Sequence, residues 1–280
     1  MLSLSSTAKA NDPCEMTIKH PMLESSKDNL IFKLFSLSIS KVSTKVCYEQ
    51  LNTVMSEARK SKSIEKGFID VQWASADSFA NDLLIPVNIP IFKGILGYRI
   101  FVIRKNDQHL FDNVNSLSDL QKFIAGQGKF WGDTKVLEHA GLPVVTSTRG
   151  RLLWQMLASK RFDYLPLAIH EPWQDLKIRP ELDLVVEKNL MLVYPMALFF
   201  YVNKDNEKLY QYLEQGMRMA IKDGSYDAML KSSEMIKSAA KYANIETRKI
   251  IYINNPDINN ANYISDYKKQ TEELLRLITH

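Results

Sequence analysis

Two long apolar runs set the pattern of this chain. The first, residues 86–105, reads PVNIPIFKGILGYRIFVIRK and is rich in Ile and Val, with glycine at Gly94 and Gly97. β-Branched side chains suit a pleated sheet, and glycine permits a bend or a close backbone approach, so the run predicts a buried strand led in by a flexible segment. The second, residues 190–204, reads LMLVYPMALFFYVNK and is broken near its middle by Pro195. Two interrupted strands, each leading from one α/β region into another, predict a two-lobed protein whose chain crosses twice. The segment between them is then an inserted lobe, and a ligand cleft lies beside the crossings.

Periodicity fills in the rest. Ahead of the first run, residues 16–19, 45–51 and 68–73 read as strands. Between them, residues 28–41 put Leu30, Ile31, Leu34, Phe35, Leu37 and Ile39 mostly on one side, and residues 55–66 close at Gly67, so both read as helices. This β-α-β-α-β order predicts a mostly parallel sheet. Within the insert the expected order is a short helix at 116–123, a glycine-rich loop GQGKFWGD at 126–133, a helix at 134–140, a strand at 144–147, a helix at 150–159 and a strand at 162–169. Seven of the ten glycines fall between Gly94 and Gly150, which puts the special backbone geometry in the insert and its approach, where main-chain N–H groups can hold a ligand. Past the second run, residues 207–223 carry Leu209, Leu213, Met217 and Ala220 at helical spacing. A shorter helix over 226–237, a strand or extended tail over 248–254 and a last amphipathic helix over 267–278 complete the chain, all expected to pack on the first lobe. The division is residues 1–10 as a leader-like or disordered segment, 11–95 with 200–280 as lobe 1, and 96–199 as lobe 2.

Composition narrows the classes. The 280 residues include 45% hydrophobic and 24% charged positions, ordinary globular usage. A net charge of +4, evenly spread, gives no nucleic-acid footprint. No apolar run reaches the roughly eighteen residues of a membrane helix. MLSLSSTAKA at the start ends in the small-x-small pattern of a signal-peptidase site, without the long apolar core that should precede it; the tail of a signal peptide and a loose N-terminus that happens to contain alanines both fit. Cys14 stands just before the first strand and Cys47 lies in the second. A right-handed βαβ unit commonly makes those strands neighbours, which predicts a disulfide and an oxidising compartment; two buried free thiols are the alternative.

Several phrases carry a resemblance: HPMLESSKD at 20–28, IPIFKGILGYR at 89–99, GQGKFWGDTKVLEHAGLPVV at 126–145, LASKRFDYLPLAIHE at 157–171 and IYINNP at 251–256. In this order and spacing they resemble the type 2 periplasmic solute-binding proteins, in the branch related to amino-acid receptors, and in particular a subgroup described as transporter substrate-binding-domain proteins. The resemblance covers nearly the whole chain after Ala10. It implies an α/β fold of two lobes, two mixed sheets flanked by helices and joined by two crossover strands. It further implies a monomer in the periplasm of a Gram-negative bacterium that captures a small polar molecule, an amino acid or a related small acid or amine, for a membrane transporter. A sensory or orphan receptor that signals occupancy to a partner protein is the alternative, and a dehydratase-like enzyme on the same fold, with Glu171 or His20 as acid/base, a further one. In one respect the chain departs from this family. Its amino-acid receptors resemble one another in an arginine shortly before the first crossing that holds the ligand's α-carboxylate. This sequence has none between Arg59 and Arg99, and offers Asn81 and Asn88 there instead.

Ligands of open α/β sheets gather at the carboxyl ends of strands. After the first strand that names His20, Glu24, Ser25 and the helix-starting Asp28; after the third, Trp73 and Ser75. The first crossing offers Lys93, Tyr98 and Arg99. The insert offers Gln127, Gly128, Trp131, Asp133 and Thr134, where helix-start donors favour an anionic group, although plain N-capping accounts for Asp133 or Thr134 equally. Glu171 ends the insert's last strand and can accept a ligand ammonium. The five histidines and two cysteines show no metal spacing, and no G-x-S-x-G elbow, Walker loop or dinucleotide fingerprint occurs. No catalytic residue, metal or cofactor is expected.

Overall fold

The structure is a computed structural model that describes residues 14–75 and 83–258, with isolated helical positions at 269, 271, 272, 275 and 276. The chain begins with β1 (Met16–His20), α1 (Ser26–Ser40), β2 (Val46–Gln50), α2 (Glu57–Glu65), β3 (Val71–Ser75) and β4 (Leu84–Val87). It continues through β5 (Tyr98–Arg104), α3 (Gln108–Phe111), α4 (Leu117–Leu120), β6 (Ala125–Gly128), α5 (Gly132–His139), β7 (Val144–Ser147), α6 (Leu152–Ala158), β8 (Leu165–Ala168), α7 (Pro172–Lys177) and β9 (Leu184–Val186). It then returns through β10 (Leu190–Val193), β11 (Leu198–Asn203), α8 (Glu207–Lys222), α9 (Ser225–Ser232), α10 (Glu234–Tyr242) and β12 (Lys249–Tyr252). The last expected helix, over 267–278, falls largely outside the described residues.

The described strands form four hydrogen-bonded sheets. β1 pairs in parallel with β2, and β11 lies antiparallel between β3 and β4. The second group runs β12-β10-β5-β8, with β9 also on β5, and β6 pairs in parallel with β7. Each small pair is moored to a larger sheet. The Asp70 amide donates to the Lys19 carbonyl at 2.8 Å, and the Gly126 amide to the Tyr164 carbonyl at 2.8 Å, setting β1 beside the start of β3 and β6 beside the start of β8.

Both apolar runs are therefore divided. β4 belongs with β11 while β5 belongs with β8 and β10, so the chain passes from one sheet to the other across residues 88–97 and back across residues 194–197. The first passage bends where Lys93 (φ 47) and Gly94 (φ 88) take left-handed conformations. Ile89, Ile91, Phe92 and Ile95 are buried there in one core with Ile169, Met191 and Val193. Helix α9 holds this passage: the buried Tyr226 hydroxyl donates to the Ile91 carbonyl at 3.0 Å, and Asp227 pairs with Lys93 at 2.6 Å.

Three expectations differ from the structure. GQGKFWGD is not a loop, because Ala125–Gly128 pair with Val144–Ser147 as a strand and α5 already begins at Gly132, with Trp131 extended at its N-cap. The helix expected over 226–237 is two helices, since Ser233 is extended (ψ 140) and its hydroxyl caps α10. The segment 248–254 does not pack with the first sheet. β12 pairs with β10, secured by Arg248, whose guanidinium donates to the carbonyls of Ala243, Glu187 and Leu190 and faces the fully buried Glu187 carboxylate at 3.6 Å.

Cys14 and Cys47 are joined, with Cα atoms 5.8 Å apart: Cys14 lies just ahead of β1, and Cys47 lies inside β2, the strand that pairs with it. Across the first core, α8 lies so close on α1 that a Cβ at Gly216 would sit 2.0 Å from the Ser38 carbonyl oxygen. Alanine favours a helix over glycine by about 1 kcal/mol, yet backbone cannot yield as a side chain can. Gly216→Ala is thus expected to lose about 1–3 kcal/mol of stability in denaturant titration. Replacing Cys14 with Ser should cost about 3–4 kcal/mol by the chain-entropy estimate for a loop of this size, read as a lower midpoint that reductant no longer changes.

Candidate functional site

Arg99, at the start of β5 and only 3% exposed, is the centre of a chain of charged groups. Its Nη2 donates to Asp133 Oδ1, and its Nη1 lies 3.6 Å from Glu171 Oε2. Asp133 stands in the first turn of α5 and also accepts from the Tyr194 hydroxyl at 2.6 Å, from the second passage between the sheets. The guanidinium lies 5.6 Å from the centre of the Tyr194 ring. Glu171 follows β8; it accepts from the Ala168 amide at 2.8 Å and from Lys27 Nζ at 2.8 Å. Lys27 comes from the first turn of α1, so the chain of contacts reaches from a helix of the first sheet group into the second. Beside it Asp28 accepts from Trp73 Nε1 at 2.9 Å and from the Ser25 hydroxyl at 2.7 Å.

Electrostatics fixes the charge states. Burial pushes the Glu171 carboxyl up, but the Lys27 ammonium and the Arg99 guanidinium outweigh it and hold the carboxyl down at about 2. The same contact keeps Lys27 protonated against the pull of burial. Burial, with Asp133 beside it, raises the Tyr194 phenol, which stays a neutral donor. His170, between β8 and Glu171, is fully buried against the Phe92 ring at 4.8 Å, and neither ring nitrogen has a hydrogen-bond partner. Burial drives its pKa down to about 4, so the ring is neutral at pH 7.

The other expected residues divide. Ser75 is buried at the end of β3 and meets α5: a Cβ at Gly132 would lie 2.5 Å from its Oγ, so only glycine lets the helix start approach. Trp131 lays its indole over Gly128 and Gly150, and the Thr134 hydroxyl donates to the Gly128 carbonyl at 2.8 Å. Gln127 is fully buried, with neither amide atom hydrogen-bonded. His20 is buried against the Phe32 ring and bonds the Pro21 carbonyl, on α1's packing face. Glu24 is exposed ahead of α1, and Lys93 is engaged by Asp227. Tyr98 is half-buried, its phenol raised by burial and by Tyr252 and Glu272. Asn81 lies outside the described residues, and Asn88 is exposed between β4 and the first passage. Sequence reasoning passed over Lys27 and Tyr194. Each sits in a singled-out stretch, one residue before Asp28 and one before Pro195, but nothing local marks it as facing Glu171 or Asp133.

No protein family matches the chain's sequence, and no curated protein does. Solved structures match its fold. An ancestral arginine-binding protein bound to glutamine superposes with a TM-score of 0.59 at 17% identity, over 78% of this chain and 98% of that one. The fold is that of the type 2 periplasmic binding proteins. The amino-acid ABC transporter substrate-binding protein AbpA of Streptococcus pneumoniae, bound to L-arginine, matches this binding-protein fold at 0.57 and 13% identity, over 80% and 94% of the two chains. A histidine kinase sensor domain does so at 0.57 and 15%, over 80% and 98%. These relatives are two-lobed, and the charged chain from Lys27 to Tyr194 runs between the two sheet groups of the present fold.

The shifted groups imply acid sensitivity in two windows. His170 takes a proton in the unfolded chain near its ordinary 6.5 but resists it when folded, so stability should fall as pH drops from about 6.5 to about 4, by on the order of 3 kcal/mol. Glu171 adds a further loss from about 4.5 to about 2, as its ion pairs are neutralised. Denaturant titrations of wild type and His170→Gln across pH 7 to 2 check this: the variant should lose the first slope and keep the second.

Proposed function

We propose that the chain is an extracytoplasmic solute-binding protein that captures a small polar ligand between two closing lobes for uptake by a membrane transporter. The observation that carries this is the contact of Lys27 in α1 with Glu171 beyond β8, continued through Arg99 to Asp133: polar groups from both sheet groups converge beside the two passages of the chain. Lobe 1 comprises residues 11–95 and 200–280 and lobe 2 residues 96–199, save that β12 joins the sheet of lobe 2. The reading is supported by neighbours of the same fold bound to glutamine and L-arginine, one of them named as a transporter's substrate-binding protein. The Cys14–Cys47 disulfide supports an oxidising compartment.

Closure in this reading is a population shift: a ligand that meets both lobes binds the closed form better and draws the ensemble toward it. Binding without turnover is part of this reading, and it is supported by acids of the cluster that are held by cations rather than poised for proton transfer. A sensory role is the second reading, favoured by the match to a histidine kinase sensor domain, in which occupancy is passed to a signalling partner.

A thermal-shift screen of amino acids, small acids and amines should find a ligand that raises the melting temperature. For that ligand, Trp73→Ala on one wall and Asp133→Asn on the other should each weaken affinity by roughly 1–3 kcal/mol in calorimetry, since a polar ligand group left unpaired in a closed cleft keeps its desolvation penalty. Unchanged affinity in both variants would place the site elsewhere. Gly132→Val, whose side chain would press on Ser75, should leave the protein folded but abolish the ligand-induced decrease in radius of gyration seen by X-ray scattering.

A further inference from the structure

We propose that the ligand of this cleft is a small cationic amine that lacks an α-carboxylate. The proposal rests on the solute-binding reading and deepens it by naming the ligand class. Its basis is how the cluster's charges are already spent. Three carboxylates, Asp28, Asp133 and Glu171, surround two cations, Lys27 and Arg99, so one negative charge is in excess. Each cation in reach has an acid on it: Lys27 pairs with Glu171, Arg99 with Asp133 and Glu171, and Lys93, on the first passage, with Asp227 of α9.

A neutral amino acid's carboxylate would have to displace one of these acids and, with the ligand's own ammonium counted, would leave four negative groups facing three positive ones. In a site of low dielectric that is a strong penalty. A ligand ammonium makes the balance three against three. It also has an acceptor to meet: both hydrogen bonds to Asp133 fall on Oδ1, so Oδ2 is the oxygen it would take. Lys27 now occupies part of this anionic surface, its own ammonium on Glu171, and competes with the ligand for it.

Matched pairs of an amino acid and its decarboxylation product isolate the carboxylate. Calorimetry on the intact chain with tyrosine and tyramine, and with leucine and isoamylamine, whose amines carry a single positive charge, should show the carboxylate-free member of at least one pair binding tenfold or more tightly than its amino acid. Lys27→Met should tighten tyramine or isoamylamine several-fold by removing the competing cation. Asp133→Asn should weaken it at least tenfold, but because that change strips a buried guanidinium of a partner, the decision rests on the wild-type pairs and on Lys27→Met. Amino acids that bind as tightly as their products would overturn the amine assignment and leave the solute-binding reading standing. So would binding of glutamate or a neutral sugar with no response to either amine, or weaker amine binding in Lys27→Met. Silence across the amines, amino acids, glutamate and sugar would overturn both.

Discussion

A guanidinium taken almost wholly out of water has to be met by acceptors where it stands, and Arg99 imposes that demand on three separate elements. It belongs to β5, yet its partners come from the first turn of α5 and from the turn after β8. Removing one member of such a buried pair costs about 3–5 kcal/mol, because the remaining charge is left uncompensated. The pairing therefore fixes where the α5 N-terminus and the β8–α7 turn lie relative to the strand between them. Lys27 extends the same constraint to α1, and Tyr194 to the second passage of the chain. One buried cation thus sets the positions of these elements relative to one another.

Much of the fold could be read from periodicity alone. The strand over Val144–Ser147 and the helix over Glu207–Lys222 stand close to where alternation and 3.6-residue spacing put them, since each owes its existence to local pattern plus one buried face. What periodicity misses is choice of partner. Residues 86–105 look like one strand, but hydrogen bonding assigns β4 to β11 and β5 to β8, and composition is blind to that. The glycines of GQG argue for a loop until β7 is there to pair with them. β12 leaves its neighbours in sequence because Arg248 finds the carbonyls of Glu187 and Leu190 at the start of β10.

The site divides along the same line. Sequence reasoning names Arg99 from the first crossing, Asp133 from a helix start and Glu171 from a strand end, each as a separate candidate. That they bond to one another is a tertiary fact: Arg99 and Asp133 are 34 residues apart, and Lys27 and Glu171 are 144 apart. No local spacing encodes either meeting. His20 shows the converse. It occupies the right strand end, but its ring is absorbed into packing against Phe32, a fate that depends on a helix face rather than on the strand.

The Cys14–Cys47 link has a consequence for how the molecule comes together. Both cysteines precede the insert and β11 in the chain, so a polypeptide emerging amino end first can be cross-linked before either exists. The sheet of β3 and β4, by contrast, has its central strand, β11, in residues 198–203, long after the insert. Vectorial emergence therefore separates the two events: an early covalent knot holds β1 against β2, while the neighbouring edges wait for a strand that arrives after a whole lobe has been made. During that interval the knot limits how far the waiting segment can unravel, and the exposed edges of β3 and β4 are the surface a chaperone would have to shield.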